Sequence, residues 1–84
     1  MDTIDKIKIE LREKDAPFFT DGEIAYYLAK NQNDFRATVY EMLLVKAESS
    51  AVMVSGWSTT DTSAYFRRLA SRFRAFSSGQ LGSS

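Results

Sequence analysis

From Thr3 to Lys14 the apolar residues Ile4, Ile7 and Leu11 recur at helical spacing, and Lys6 with Glu10, then Glu10 with Lys14, stand one turn apart. One apolar face flanked by such pairs predicts a first helix over this stretch. Ile7-Lys8-Ile9-Glu10-Leu11-Arg12 also alternates with the period of a strand, and the helical reading leaves Ile9 off the apolar stripe. Asp15-Ala16-Pro17-Phe18-Phe19 interrupts the pattern, because proline disfavours helix at the residue before it and has no amide hydrogen to donate. Thr20-Asp21-Gly22-Glu23 then has the Thr-x-x-Glu spacing of a capping box. It predicts a second helix from about Asp21 to Lys30 that buries Ile24, Tyr27 and Leu28.

Asn31-Gln32-Asn33 reads as a turn, and Asp34 as the N-cap of a third helix from about Phe35 to Ser49. Ala37, Tyr40, Leu43, Leu44 and Ala47 make one apolar stripe, with Phe35, Val39 and Met42 a second beside it. A helix this apolar around its circumference belongs in the middle of a bundle. Between Ser50 and Thr60 the character changes: Val52-Met53-Val54 favours extended backbone and Ser55-Gly56-Trp57-Ser58 supplies a turn. A lone strand cannot form a sheet, so this segment reads as a loop with at most a short strand. Thr60, Asp61 and Thr62 each suit the N-cap of a last helix ending near Phe76, with Tyr65, Phe66, Leu69, Ala70 and Phe73 inward. The expected architecture is all-α: a small bundle of about four helices with an extended loop before the last. Residues 1–76 form its one helical domain, and Ser77 to Ser84 read as a flexible tail.

Composition narrows what such a bundle can do. At 84 residues the core is thin, and packing against a partner would add appreciably to stability. With no cysteine and no histidine, disulfides, thiolate nucleophiles, the commonest proton shuttle and the commonest metal ligands are missing. Eleven basic residues balance eleven acidic ones, so there is no global attraction to nucleic acid or to an anionic membrane. No run of about 18 apolar residues could cross a bilayer, and the N-terminus lacks the apolar stretch of a secretory signal, so synthesis inside the cell is the expectation. Charge asymmetry is confined to the last helix. After residue 60 the arginines Arg67, Arg68, Arg72 and Arg74 face a single acid, Asp61, which leaves that stretch at plus three, four minus one.

Nothing in the sequence assembles a nucleophile with a base, a carboxylate pair in a cleft, a metal site or a phosphate cradle, and the expectation is a non-enzyme without cofactor or metal. Arg67, Arg68, Arg72 and Arg74 fit either a solvated face or contact with partner carboxylates or nucleic-acid phosphates. Phosphate contact alone would confer no sequence specificity. Trp57, beside Gly56 in a polar loop, fits an interface anchor or a cap on the core, and Phe18-Phe19 carries the same ambiguity. Ile9, Phe18, Phe19, Val52, Val54 and Trp57 are the candidates for an apolar contact surface.

From Asp21 to Arg74 the order of elements resembles the small helical head-tail connector, or head-completion, proteins of long-tailed double-stranded DNA phages. The resemblance rests on the short helix Glu23-Ile24-Ala25-Tyr26-Tyr27-Leu28 and the longer one around Ala37-Thr38-Val39-Tyr40-Glu41-Met42-Leu43-Leu44-Val45-Lys46-Ala47. A Ser-Gly-containing extended loop follows, and then the closing Tyr65-Phe66-Arg67-Arg68-Leu69-Ala70-Ser71-Arg72-Phe73-Arg74 helix. It implies a subunit added beneath the portal in the host cytoplasm and carried into the virion at the head-tail junction. Its partners would be portal and tail-completion proteins, and several copies would form a homo-oligomeric ring around the passing DNA. One other resemblance and one further functional class compete. Residues 20 to 44 look like two thirds of a ubiquitin-associated module, which would make Phe18-Phe19 and Leu43-Leu44 a binding surface, and the arginine helix would suit a small DNA-binding domain.

Overall fold

A computed structural model describes residues 1–49, 51, 52 and 54–74, so the expected tail, Phe76 and Met53 lie outside the described residues. Four helices follow in order: α1 (Thr3–Glu10), α2 (Asp21–Lys30), α3 (Phe35–Glu48) and α4 (Thr59–Ser71), and no strand forms among the described residues. The all-α bundle read from the sequence is the observed architecture.

Each helix begins at a side chain that accepts one of its orphan amides. Asp2 Oδ1 accepts from Asp5 N at 2.8 Å, and Asp34 Oδ1 from Ala37 N at 3.0 Å. Thr20 and Glu23 close the reciprocal capping box at 3.1 and 2.8 Å. For α4 the cap is Ser58, whose Oγ accepts from Asp61 N at 3.0 Å, two to four positions before the residues expected. That shift leaves Thr62 inside the helix, where it is buried and donates its hydroxyl to the Ser58 carbonyl at 2.9 Å.

Two helices end without the glycine that usually permits it. Beyond Glu10 the chain turns left-handed at Arg12, φ 60°, with Arg12 N donating to Ile9 O and Glu13 N to Lys8 O, both at 3.1 Å. This Schellman closure stops α1 four residues short of the expected Lys14. The Lys6–Glu10 and Glu10–Lys14 pairs are absent among the described residues, and Lys8 pairs instead with Asp21 at 2.8 Å, tying α1 to the start of α2. The end of α2 repeats the device at Gln32, φ 58°, followed by Asn33, φ 63°. Helix α4 ends at Ser71, short of the expected Phe76.

Helix α3 lies in the middle, packed most extensively on α4 and touched by α1 and α2. Its fully buried line is Thr38, Val39, Met42, Leu43 and Lys46, with Ala47 nearly so; this runs between the two expected stripes and leaves Tyr40 and Leu44 half-buried. The core joins it to Ile7, Leu11, Ala16, Ile24, Val52, Phe66, Leu69 and Ala70. Of the residues expected inward, Tyr27, Leu28, Tyr65 and Phe73 are half-buried and rest against this core.

A charge sits inside it. Lys46 is fully buried, and its ammonium donates to the Leu11 carbonyl at 2.7 Å, the Ala16 carbonyl at 2.6 Å and Glu13 Oε2 at 2.7 Å. Glu13, only 7% exposed, uses its other oxygen to accept from Phe18 N and Phe19 N at 3.0 and 2.9 Å. The Phe66 ring lies 4.7 Å from the ammonium. All three ammonium hydrogens therefore have acceptors, which is the condition under which a buried charge is tolerated. Burial holds the Lys46 pKa below the ordinary lysine value, while the hydrogen bond and charge of Glu13 pull it back up. The α1–α2 connection is thus ordered by one lysine of α3.

Candidate protein-contact surface

Trp57 is presented by a tight turn. Its amide donates to the Val54 carbonyl at 2.9 Å, and Gly56 between them takes φ 84°, a backbone region that side chains avoid. The indole remains 40% exposed while it forms a T-shaped pair with Tyr65 of α4, ring centroids 5.1 Å apart at 84°. Tyr65 in turn meets Phe66 at 5.2 Å, which links the surface aromatic to the core. Across from them the Tyr65 hydroxyl accepts from Arg12 Nε at 3.2 Å, and Arg12 Nη1 donates to the Ile9 carbonyl at 2.9 Å. Arg12, Trp57 and Tyr65 rim a groove of about 400 Å³ between the α1–α2 connection and α4.

The arginines of α4 are all exposed but do not converge. Arg67 lines a depression of about 530 Å³ against the end of α3, with Glu48 and Ser49. Arg68 lies roughly 100° further round the helix. It shares one depression with Trp57 and Asp61 and another with Tyr65 and Arg72. At the end of α4 the Arg72 carbonyl accepts from Arg36 Nη2 at 2.5 Å, and Arg36 lies over the Phe73 ring at 5.6 Å. A basic side chain on those terminal carbonyls complements the negative end of the helix. Arg74 follows the helix and is exposed. The structure therefore splits the arginine set, bringing Arg68 beside Trp57, Arg72 beside Arg68 and Tyr65, and turning Arg67 toward α3.

The apolar candidates divide in the same way. Ile9 is 53% exposed, as the helical reading required. Val52 is 1% exposed and belongs to the core, which corrects its place among the contact residues: the turn in which its amide donates to the Ser49 carbonyl at 3.4 Å packs it with the buried cluster. Val54 is half-buried and lines the groove beside Trp57. Phe18 and Phe19 are half-buried, edge to face at 4.9 Å, with Phe19 also meeting Tyr27 at 5.7 Å. Leu43 is fully buried, so a surface made of Phe18-Phe19 and Leu43-Leu44 does not exist in this bundle. Sequence reasoning overlooked Arg12 and the 64%-exposed Tyr26. For Tyr26 the signal was present, since it lies off the stripe of Ile24, Tyr27 and Leu28. For Arg12 the contact with Tyr65 spans 53 positions and leaves no local trace.

Among the described residues no three acidic, His or Cys side chains cluster as metal ligands, and no helix is long and apolar enough to cross a membrane. Comparison with models of known protein families, with curated proteins and with solved structures finds no match.

Proposed function

We propose that the chain is a non-enzymatic adaptor that works by protein contact, serving in phage assembly as a head-tail connector subunit at the portal-tail junction. The observation that carries the contact reading is Trp57, held half-open by a glycine turn and Tyr65 and flanked by Arg12 on one side and Arg68 on the other. Tryptophan, tyrosine and arginine are the residues on which interface energy concentrates, especially where a rigid aromatic is already oriented. The phage assignment draws its support from the element order, a short helix, a long central helix, an irregular segment and an arginine-bearing last helix, which is the order the resemblance rests on. Duplex DNA is a poorer fit to the same surface, because Arg67 and Arg68 address different depressions and the acidic Asp61 shares the one that holds Trp57 and Arg68.

The test is affinity capture with the tagged chain from phage-producing cells, run beside a Trp57→Ala variant and an Arg68→Glu/Arg72→Glu variant. Portal or tail-completion proteins recovered with the parent chain and lost with either folded variant would support the proposal. Recovery of no virion protein, or recovery indifferent to all three positions, would refute it.

A further inference from the structure

The groove beside Trp57 is built differently on its floor and on its rim. Ala16 and Phe66 lie beneath it, both fully buried, and the apolar surface it offers on its floor belongs to Val54, Trp57 and Tyr65. Its rim carries one cation, Arg12, and one anion, Asp15. A volume of about 400 Å³ stands near the lower end of the roughly 300 to 1,000 Å³ of ligand pockets and suits one large side chain with its backbone.

Arg12 is unusual in two respects. Its backbone occupies the left-handed region, φ 60°, which glycine would fill at lower cost, and its guanidinium is held at two points, by Tyr65 and by the Ile9 carbonyl. Those bonds use two of its five N–H donors, and among the described residues it makes no ion pair. Three donors remain on a head whose position is already fixed, an arrangement that accepts a carboxylate with little further ordering. Asp15 is exposed on the same rim and, as a carboxylate, accepts only; a peptide amide meets it and a phosphate repels it. Arg68, on the far side of Trp57, and Arg72 beyond it extend the positive field.

We propose, resting on the protein-contact reading, that this groove takes an extended acidic-apolar segment of a partner protein. One large apolar side chain lies against Trp57, Val54 and Tyr65, an adjoining Asp or Glu pairs with Arg12, and a backbone amide of the segment donates to Asp15. Isolated carboxylates suit this rim better than nucleic acid, whose phosphates follow one another every few ångströms and would crowd Asp15 and Asp61.

The chain contains a single tryptophan, so Trp57 emission reports occupancy directly. The experiment selects a displayed library of random 12-residue peptides against the full chain, then titrates the recovered peptides while following that emission. Enrichment of an apolar residue next to Asp or Glu is expected, with saturable change in Trp57 emission. Affinity should fall about tenfold to a hundredfold in Arg12→Gln, and less in Arg12→Lys, which keeps the charge without the fork. Glutamine already occupies a left-handed position in this chain at Gln32, so Arg12→Gln keeps a compatible backbone. Far-ultraviolet circular dichroism checks that each variant is folded. Enrichment of basic or neutral peptides, affinity unchanged in folded Arg12→Gln, or tighter binding of a duplex DNA oligonucleotide through the same residue would each overturn the proposal. Virion proteins still captured by folded Arg12→Gln would overturn the groove alone and leave the adaptor reading standing.

Discussion

Replacing Lys46 with Met removes a buried charge and keeps most of the side-chain volume. The change strips three charge-assisted hydrogen bonds at once, leaving the Leu11 and Ala16 carbonyls without their donor and Glu13, 7% exposed, without its counter-ion. Breaking one side of a buried pair costs about 3 to 5 kcal/mol, chiefly because the surviving charge stays in a poor solvent. A domain of this length has a total stability of about 4 to 13 kcal/mol at typical per-residue values, so the loss consumes much of it. With a urea slope near 1 kcal/mol/M, the midpoint should fall by about 3 to 5 M, or the chain should be partly unfolded in buffer.

The pairing can be separated from the packing by adding Glu13→Gln to Lys46→Met. A glutamine at position 13 keeps an oxygen for the Phe18 and Phe19 amides and gains an NH2 that can donate to a carbonyl Lys46 released. No buried charge remains, and the double variant should recover about 2 kcal/mol or more of what Lys46→Met loses. Urea unfolding followed by circular dichroism measures all four corners of the cycle. An unchanged midpoint in Lys46→Met, or a double variant no better than the sum of its singles, would refute the account of Lys46 as a charge held in place by Glu13.

Gln32→Gly should raise stability by about 0.5 to 1 kcal/mol, read as a higher melting temperature, because it relieves a left-handed residue whose side chain makes no hydrogen bond among the described residues. Arg12→Gly should gain less, since it relieves the same backbone cost but gives up the bond to Tyr65. Leu43→Ala should cost about 2 to 5 kcal/mol in chemical denaturation, and Phe73→Ala clearly less, Leu43 being fully buried and Phe73 only partly. On the acid side, Glu41 is held below its ordinary 4.5 by the hydrogen bonds from Lys30 and Asn31. Its folded value is the lower one, so its contribution is complete above pH 4.5 and is lost as pH falls through the folded value; Glu41→Gln should flatten the melting-temperature profile in that window.

The parts of this fold legible in the sequence are those whose partners lie close along the chain. Thr20 and Glu23 satisfy each other across three positions, and Asp34 reaches Ala37 across three more, so the starts of α2 and α3 can be read directly. Helix ends were harder where the usual residue is absent: nothing in Leu11-Arg12-Glu13 announces a left-handed turn without glycine or proline. Along α3, Lys46 stands four positions after Met42 and three after Leu43, on the buried line, yet a lysine there reads as the edge of an apolar stripe. What buries it is Glu13, 33 positions earlier. The arginines of α4 read as one face because they are near in sequence, whereas helical rotation separates Arg67 from Arg68 and joins Arg68 to Arg72.

The same geometry explains why a charge rather than an apolar side chain stands at position 46. An apolar residue there could fill the volume and, with a matching partner, cost nothing in stability. It could not fix the direction of two backbone carbonyls. Lys46 holds those of Leu11 and Ala16, the residues that bracket Arg12 and Asp15, while its carboxylate partner holds the amides of Phe18 and Phe19. Phe66 completes the link, with its ring against the Lys46 ammonium and beneath the groove beside Trp57. The buried pair and the surface groove are therefore two sides of one loop. The charge at its centre sets the spacing of Arg12 and Asp15 at its rim, and a loop tied only by apolar contacts would leave both free to shift.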